Sequence, residues 1–528
     1  MTLQPEQPEP SGLNDREGNG PVVDLAVIGG GINGVGIARD AAGRGLSVML
    51  LEKGDLGGAT SSASTKLIHG GLRYLEHYEF SLVRHALRER DVLLAAAPHI
   101  VWPLRFVLPR LKGGRPGWMI RLGLFLYDHL GGRTGIPGSG RLSMKIDPAA
   151  APLDPAIRQA FAYWDCWVQD NRLVVANARA AQRLGADIRV NTAVTAARRH
   201  EGGWLLETSG PSGPGTVRAR AVVNAAGPWA GRVLGQVVHT NRTASLKLVK
   251  GTHIVTRRLF DHDSAYLFQN PDGRVIFAIP YERDYTLIGT TESEYDGALE
   301  TPEATEGEIA YLLAAANRYF RAPIQRADVV WTYAGVRPLF DEGDGDEDVS
   351  AVTRDYVLDL DAPDGAAPLL NVFGGKLTTF RRLSEQAVDK LADAFDGMGP
   401  AWTQKAPPLP GGEAAPDTLL DEIGTRWPFV PPAMARRLVY HYGTDVRALL
   451  SDATTLEDLG QHFGADVYAA ELAHGVAHEW VTSGDAFLWH RTKTGLRLDE
   501  AQRQAVSHWV AARTAEAANG SAPLRGKG

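Results

Sequence analysis

The stretch DLAVIGGGINGVGIARDAAGRGLSVMLLEKG, residues 24–54, decides the fold of this chain. Its first five residues form a short apolar run, which is typical of a buried strand in a parallel sheet. Gly29, Gly31 and Gly34 follow with the spacing G-x-G-x-x-G. These glycines permit a tight turn, a close approach of the backbone to a pyrophosphate, and close packing of the next helix on its strand. The stretch therefore predicts a strand–turn–helix–strand unit that binds a dinucleotide.

The acidic residue that ends this unit narrows the choice of dinucleotide. The second strand, 46–51, runs into Glu52, 18 residues after Gly34. A carboxylate there accepts hydrogen bonds from ribose hydroxyls and repels a 2′-phosphate, so NADP is disfavoured. NAD and FAD share this unit, and the unit alone does not separate them.

Two later segments favour FAD over NAD. Near 224–228 and near 373–378, an apolar strand again runs into glycines. With 29–34, three segments of backbone are expected to approach the cofactor, and the helix that follows the last of them directs N–H groups at an anion or a carbonyl. A long FAD molecule with a buried ring accounts for three approaches, whereas NAD usually needs one.

Composition limits the remaining classes. The chain has 528 residues and a net charge of −7, which argues against a nucleic-acid-binding surface. Its one cysteine, Cys166, excludes internal disulfides and cysteine-rich metal or iron–sulfur sites, so no metal is expected and a reducing, cytoplasmic compartment fits. Residues 1–20 are polar and rich in proline and glycine, which predicts a disordered tail rather than a signal peptide.

The rest of the chain predicts an α/β protein with an added helical domain. Residues 21–403 form the dinucleotide-binding oxidoreductase domain, a Rossmann-like fold into which an antiparallel substrate-binding sheet is inserted at about 246–355. Within it, 341–348 is an acidic loop without the ligand spacing of a calcium site. Residues 404–416 are a proline- and glycine-rich linker, and 417–528 are an all-α C-terminal domain.

Two segments carry side chains of functional interest. The loop 57–80, GGATSSASTKLIHGGLRYLEHYEF, offers hydroxyls and backbone N–H groups to phosphates and to a polar ring. The stretch 115–129, RPGWMIRLGLFLYDH, is apolar almost all round and has cations nearby. It is either a buried helix or a surface that touches lipid or a lipid-soluble partner.

The chain resembles the FAD-dependent, quinone-linked glycerol-3-phosphate dehydrogenase family over motifs that run from near residue 22 into the C-terminal region. These motifs are GGGINGVGIARDAAGRGLSVMLLE (29–52), TSSASTKLIHGGLRYLEHYEF (60–80), WDCWVQDNRLVVANA (164–178), NAAGPWA (224–230), VKGTHIV (249–255), WTYAGVRPL (331–339), TRDYVLD (353–359), FGGKLTTFR (373–381) and GPAWT (399–403). The resemblance implies oxidation of sn-glycerol 3-phosphate to dihydroxyacetone phosphate by hydride transfer to FAD.

Partners follow from the same resemblance. It implies that electrons pass to a membrane quinone, and that the protein is cytoplasmic and peripherally bound to the inner face of the cytoplasmic membrane. A homodimer is considered, with the oligomeric state left open. The rival functions are a glycerol-3-phosphate oxidase that uses O₂ and releases H₂O₂, an amine or amino-acid oxidase, and a FAD-binding scaffold without turnover.

The candidate site residues come from the chemistry and the matching motifs together. A phosphate dianion is best held by several cations, with arginine preferred for its planar fork. The candidates around the substrate are Arg73, Tyr74, Arg337, Arg354 and Lys376. The candidates for binding FAD are Gly29, Gly31, Asn33, Gly34, Glu52, Lys53, Thr60, Ser61, Ser62, Lys66, Leu67, His69, Gly70, Gly71, Ala226, Gly227, Trp229, Gly335, Gly374, Gly375, Lys376, Leu377 and Thr378.

A general base is needed to take the proton of the C2 hydroxyl. His253, in KGTHIV, is the first candidate because an imidazole titrates near neutral pH. His69 is the second candidate, with a contact to the flavin as its other interpretation.

Overall fold

The computed structural model describes residues 20–132, 135–239, 246–340 and 356–518. Most of the predicted tail, the acidic loop 341–348 and Arg354 lie outside these residues. The strands are β1 Val22–Ile28, β2 Val48–Leu51, β3 Leu67–Ile68, β4 Val101–Pro109, β5 Gly140–Arg141, β6 Ala160–Val168, β7 Asp187–Arg189, β8 Ala193–His200, β9 Gly203–Gly210, β10 Gly213–Asn224, β11 Leu246–Arg257, β12 Ala265–Gln269, β13 Val275–Tyr281, β14 Tyr285–Gly289, β15 Ser293–Glu294, β16 Val329–Phe340, β17 Val357–Asp361, β18 Leu369–Phe373, β19 His462–Gly464 and β20 Val467–Tyr468. The helices are α1 Ile32–Gly43, α2 Phe80–Ala96, α3 Gly117–Leu130, α4 Asp170–Arg183, α5 Ala230–Arg232, α6 Glu306–Ala316, α7 Phe380–Asp389, α8 Pro416–Arg426, α9 Pro432–Tyr442, α10 Val446–Leu450, α11 Ala469–His478 and α12 Glu500–Ala518.

The first sheet has a parallel centre, as the apolar runs predicted. Its strand order is β17-β18-β10-β1-β2-β7, with β9 also paired to β10 and β8 paired to β9. Leu25 and Val27 of β1 pack in the cluster with α1, α4 and α7. Ala26 and Ile28 pack on the opposite face, in the cluster with β9 and β10. Because both faces are covered, β1 is apolar at every position of its second half.

The second sheet is larger than the sequence predicted. Its order is β15-β11-β14-β13-β12-β4-β6-β3, with β16 paired to β11 and β5 to β6. The predicted sheet began at 246, but β3, β4, β5 and β6 join it from earlier in the chain. The pairing of β4 with β12 is parallel. Such pairings depend on contacts remote in sequence, which local patterns do not reveal.

The C-terminal region is mainly helical, with the two short strands β19 and β20 as an exception to the all-α prediction. The proline- and glycine-rich segment before it is packed rather than extended into solvent. Leu409 is fully buried in the core that β1 forms with α1, α4 and α7, and its N–H donates to Ala96 O at 2.8 Å. The C-terminal region is therefore held closely against the rest of the chain.

Helix α3 covers most of the apolar stretch 115–129, and the structure answers whether it is buried. Trp118, Leu122 and Phe125 are 68%, 51% and 50% exposed, while Leu124 and Tyr127 are buried. The interpretation as a buried helix is therefore wrong, and α3 presents an apolar face to solvent. Within the described ranges, no helix combines the length and the apolar character that crossing a membrane requires.

Candidate active site

A cavity of about 630 Å³ runs along the ends of the parallel strands β1, β10 and β18. All three predicted backbone approaches line it, at Gly29 and Gly31, at Ala226 and Gly227, and at Gly374 and Gly375. Clefts at the carboxyl ends of parallel strands are where open α/β sheets bind their ligands. The three segments are more than 140 residues apart in sequence, so their convergence is a property of the fold.

The glycine turn has the geometry that its spacing predicted. Gly29 has φ +110°, in the region that favours glycine. A Cβ on Gly34 would lie 1.9 Å from Gly29 O, so only glycine lets α1 start this close to the turn. A Cβ on Gly31 would meet only Ser61 Oγ, at 3.3 Å, which leaves its backbone open to the cavity.

Glu52 is placed at the end of β2 and lines the cavity, as predicted. Its two carboxylate oxygens accept hydrogen bonds from the N–H groups of Gly30, at 2.6 Å, and Gly54, at 2.8 Å. Burial raises the pKa of the Glu52 carboxyl, although these N–H donors act in the other direction. Each oxygen keeps a lone pair that a ribose hydroxyl can use.

The loop 57–80, called the serine-rich loop below, packs between the two sheets. Ser61 Oγ accepts the N–H of Ile32 at 3.0 Å, and Thr60 Oγ1 donates to Val336 O at 2.6 Å. Lys66 is fully buried, and its ammonium contacts both carboxylate oxygens of Asp170 at 2.8 Å. The ion pair of Lys66 with Asp170 thus fixes the loop to α4, and the paired charge of Asp170 offsets the cost of burying the ammonium.

The predicted residues divide by position. Those that line the cavity are Gly29, Gly31, Asn33, Glu52, Lys53, Thr60, Ser61, Tyr74, Ala226, Gly227, Trp229, Arg337, Gly374, Gly375 and Lys376. Ser62 and Gly335 line a smaller adjoining cavity of about 170 Å³. Gly34, Lys66, Leu67, His69, Gly70, Gly71, Arg73, His253, Leu377 and Thr378 are absent from both walls, and contacts of these residues with the cofactor or substrate remain predictions.

Two of the predicted cations line the cavity, together with Tyr74. Lys376 Nζ lies 3.9 Å from the centre of the Tyr74 ring. Arg337, at the end of β16, is 43% exposed and donates from Nη2 to Glu292 Oε1 at 3.2 Å. Two cations and a phenol hydroxyl on the wall of one cleft are groups suited to bind an anion.

His253 lies on the same face of the second sheet as Arg337. In the register of β11 with β16, His253 is opposite Tyr333 and Val249 is opposite Arg337. Residues two apart on a strand share a face, so the imidazole and the guanidinium point to the same side of the sheet. The serine-rich loop packs on this face, and Thr65 Oγ1 lies 2.9 Å from His253 Nε2.

Both candidate bases are neutral at pH 7. Burial, with the charges of Lys66 and Arg337, lowers the pKa of His253 well below 6.5. Burial and the charge of Lys376 lower the pKa of His69 to about 4. A neutral imidazole is the form that accepts a proton.

Several cavity residues escaped the sequence analysis. They are Asp55, Val194, Arg232, Gln236, Glu292, Glu300 and His490. His490 is the least expected, because the C-terminal region carried no recognisable motif. The sequence does contain a cluster of Trp489, His490 and Arg491 that could have drawn attention to this site. Nothing in the local sequence, however, connects these residues to Asp55, more than 430 positions earlier.

The residues present fit FAD. Asn33 donates from Nδ2 to Gly374 O at 3.1 Å, while its Oδ1 is buried without a partner among the described residues. Such an atom at a cavity wall is expected to bond a ligand, because an unpaired buried acceptor is costly. The glycine turn suits the pyrophosphate, Glu52 the ribose, and the approaches at 226–227 and 374–376 a long, partly buried ring system.

Comparison with known proteins agrees with this fit. The family model for FAD dependent oxidoreductases matches residues 24–379. D-erythritol 1-phosphate dehydrogenase of Brucella abortus is 52% identical over 495 residues, covering 92% of this chain and 97% of the relative. Aerobic glycerol-3-phosphate dehydrogenase of Escherichia coli is 49% identical over 491 residues, again covering 92% and 97%.

A solved structure supports the fold and the cofactor. The glycerol-3-phosphate dehydrogenase of Bacillus halodurans complexed with FAD has a TM-score of 0.71 and 27% identity, and 96% of each chain is covered. The expected family and cofactor are thereby confirmed. This chain belongs to the FAD-dependent oxidoreductases, within the glycerol-3-phosphate dehydrogenase family, and uses FAD as its cofactor.

Proposed function

We propose that this flavoenzyme oxidises sn-glycerol 3-phosphate at C2 to dihydroxyacetone phosphate. The observation that carries the proposal is that the cations Arg337 and Lys376 both line the FAD cavity. The relatives named above act on phosphorylated polyols, which combine a dianion with oxidisable hydroxyls. When bound, FAD accepts the hydride from carbon and passes the electrons onward.

Arg337 and Lys376 bind the phosphate in this proposal, and Tyr74 adds a hydroxyl. Arg337 exchanges its contact with Glu292 for the phosphate, since the dianion carries more charge and matches the planar fork better than one carboxylate oxygen. Arg354, which lies outside the described residues, is proposed as a further phosphate ligand from its motif.

His253 takes the proton of the C2 hydroxyl as hydride leaves. Its Nε2 lies 2.9 Å from Thr65 Oγ1, a hydroxyl of the serine-rich loop. Stacking on Tyr333, with ring centres 4.7 Å apart, fixes the plane of the ring. The neutral imidazole can accept the proton, but its pKa lies well below the near-neutral value expected from the sequence, which makes it a weaker base.

D-Erythritol 1-phosphate is the second candidate substrate, favoured by the relative that is 52% identical to this chain. Glycerol 3-phosphate and erythritol 1-phosphate share the phosphate and differ in chain length. Steady-state dye reduction with each, and with unphosphorylated glycerol, tests the proposal. We expect the larger kcat/KM with sn-glycerol 3-phosphate and about a hundredfold or greater loss with glycerol, which lacks the charged group. A larger kcat/KM with erythritol 1-phosphate would favour the second candidate.

The proposed electron acceptor is a membrane quinone, reached by peripheral binding to the inner face of the cytoplasmic membrane. Helix α3 supports this, because its exposed apolar face is flanked by the exposed cations Lys112, Arg115 and Arg121. Its buried face contacts the loop 57–80, where Tyr127 Oη accepts the N–H of Gly70 at 2.8 Å. A helix that binds lipid would therefore hold the loop 70–74 near the bilayer. If O₂ were the acceptor instead, substrate oxidation would release stoichiometric H₂O₂.

Replacing Leu122 and Phe125 together with glutamate tests the role of α3. We expect the protein to stay folded and yellow and to reduce dye, because both side chains are half exposed. Binding to anionic vesicles and reduction of quinone should fall together, since apolar insertion and headgroup attraction act jointly.

The matched control replaces Leu184 and Leu360 with glutamate. These leucines are also partly exposed, but Leu184 lies directly after α4 and Leu360 lies in β17, away from α3. This control should leave vesicle binding unchanged. Vesicle binding that survives the Leu122 and Phe125 changes would place the membrane contact elsewhere.

A further inference from the structure

The segment 52–58 forms the wall of the cavity beside the glycine turn. Its members on the cavity are Glu52, Lys53, Gly54, Asp55, Gly57 and Gly58. Four backbone hydrogen bonds tie it to its neighbours: Glu52 N to Arg189 O at 2.9 Å, Gly57 N to Gly30 O at 3.0 Å, Asn191 N to Gly54 O at 3.0 Å, and Thr192 N to Glu52 O at 2.8 Å. None of them involves the backbone of Asp55. Since this segment carries the ribose-binding carboxylate, its position decides how well the adenosine end of FAD is held.

The side chain of Arg491, in the C-terminal region, binds this segment. Arg491 makes a bidentate contact with Asp55, at 2.8 Å from Nη1 to Oδ2 and 2.7 Å from Nη2 to Oδ1. His490 Nδ1 lies 2.7 Å from the same carboxylate and its ring lines the cavity. The Arg491 side chain is fully buried, so this pair is not a solvent-screened surface contact.

Arg491 is itself held in place. Its Nη2 donates to Glu479 O at 2.8 Å, and its Nη1 donates to Asn171 Oδ1 at 3.2 Å. Asn171 in turn donates from Nδ2 to Leu56 O at 2.8 Å. The carboxylate of Glu479 pairs with Arg172 of α4 at 2.7 Å. The guanidinium is thus fixed by two elements, α4 and the C-terminal region, at the point where it meets Asp55.

Electrostatics keep this contact charged at neutral pH. Burial alone raises the pKa of Asp55, but Arg491 and His490 outweigh it and lower the pKa to about 2. An unpaired Asp55 in this position would be a buried charge without compensation.

We propose that the C-terminal region is part of the FAD site, with Arg491 as a positioning residue that clamps the segment 52–58 against the adenosine end of the cofactor. Arg491 lies beyond residues 24–379, which the family model matches. A residue outside the matched domain would therefore position part of the FAD site. FAD affinity should then depend on the docked C-terminal region, independently of which polyol phosphate is oxidised.

FAD binding to the full-length, FAD-stripped protein tests the clamp. We expect Arg491→Met to raise the dissociation constant for FAD about tenfold or more, as when groups that orient ligand-binding residues are lost. Arg491→Lys, which keeps the charge but not the fork, should give an intermediate value. The measurement is a fluorescence titration with FAD, and the thermal midpoint of each apoprotein is recorded beside it.

Arg437→Met is the matched control. Arg437 is another buried arginine of the C-terminal region, paired with Glu471 at 2.6 Å and Asp466 at 2.9 Å, and it does not touch the segment 52–58. It should lower the thermal midpoint like Arg491→Met but leave FAD affinity within about twofold of native.

Equal FAD affinity in the native protein and in Arg491→Met would overturn the proposal, as would equal loss of affinity in Arg437→Met. If Arg491→Met does not fold, Asp55→Asn removes the charge and one of the two acceptor oxygens of the same contact with almost no change of shape. Asp55→Asn should weaken FAD binding similarly, and unchanged binding in that variant would also overturn the proposal.

Discussion

Replacing Arg337 with leucine should raise KM for sn-glycerol 3-phosphate by about thirtyfold or more, equivalent to about 2 kcal/mol or more of binding. The side chain lines the cavity and is proposed to meet the phosphate. Loss of one partner of a buried charge pair costs about 2 to 5 kcal/mol. The lower end of that range applies here because the Arg337 side chain is 43% exposed, so solvent screens part of its charge. Steady-state kinetics with saturating dye, together with the flavin content of each preparation, measure the effect.

Arg232→Leu is the matched control for Arg337→Leu. Arg232 also lines the cavity, is 49% exposed and contacts a glutamate, Glu300, at 3.1 Å, but it lies beside Lys53 on the ribose side. It should leave KM for the substrate unchanged at saturating FAD. If Arg337→Leu left KM unaltered, or if native protein oxidised glycerol as well as its phosphate, the phosphate site would be misplaced.

Replacing His253 with glutamine should lower kcat by about a hundred- to ten-thousandfold, the range for loss of a general base. Glutamine keeps a polar group near Thr65 but has no basic nitrogen. Flavin content should be unchanged, because His253 is on β11 of the second sheet rather than at the glycine turn. Rapid-mixing measurement of flavin reduction isolates this step from reoxidation.

The ranking of His253→Gln and His69→Gln discriminates between the two candidate bases, and the pH profile tests whether the catalytic imidazole stays neutral down to about pH 6. Because the pKa of His253 lies well below 6.5, its neutral form persists from about pH 8 to about pH 6, and kcat should not fall over this range through His253. His69→Gln should lower kcat much less than His253→Gln. The opposite ranking would assign the base to His69.

The parts of the site that follow from local sequence were predictable. Gly29, Gly31 and Gly34 determine a turn through sterics that involve only near neighbours, and Glu52 follows at a set distance along the same unit. The approaches at Ala226 and Gly374 were likewise visible as strands that end in glycine. Their convergence on one cavity follows from parallel pairing, which places equivalent strand ends at one edge.

Other features depended on contacts that local patterns do not contain. The Asp55–Arg491 pair joins residues 436 positions apart, and neither side chain has a motif around it. Lys66 resembled a cofactor ligand in sequence, but the structure pairs it with Asp170 because a buried ammonium needs a carboxylate. For α3, an apolar helix next to cations suits both a core and an interface, and only its neighbours show which face is covered.

Anaerobic addition of sn-glycerol 3-phosphate to the yellow enzyme tests the central claim most directly. The account predicts that the visible absorption of the bound flavin falls in proportion to the substrate added, up to one equivalent per flavin. It also predicts that one dihydroxyacetone phosphate forms for each flavin reduced, and that glycerol bleaches the flavin far more slowly. A flavin that stays oxidised with every polyol phosphate would contradict the account.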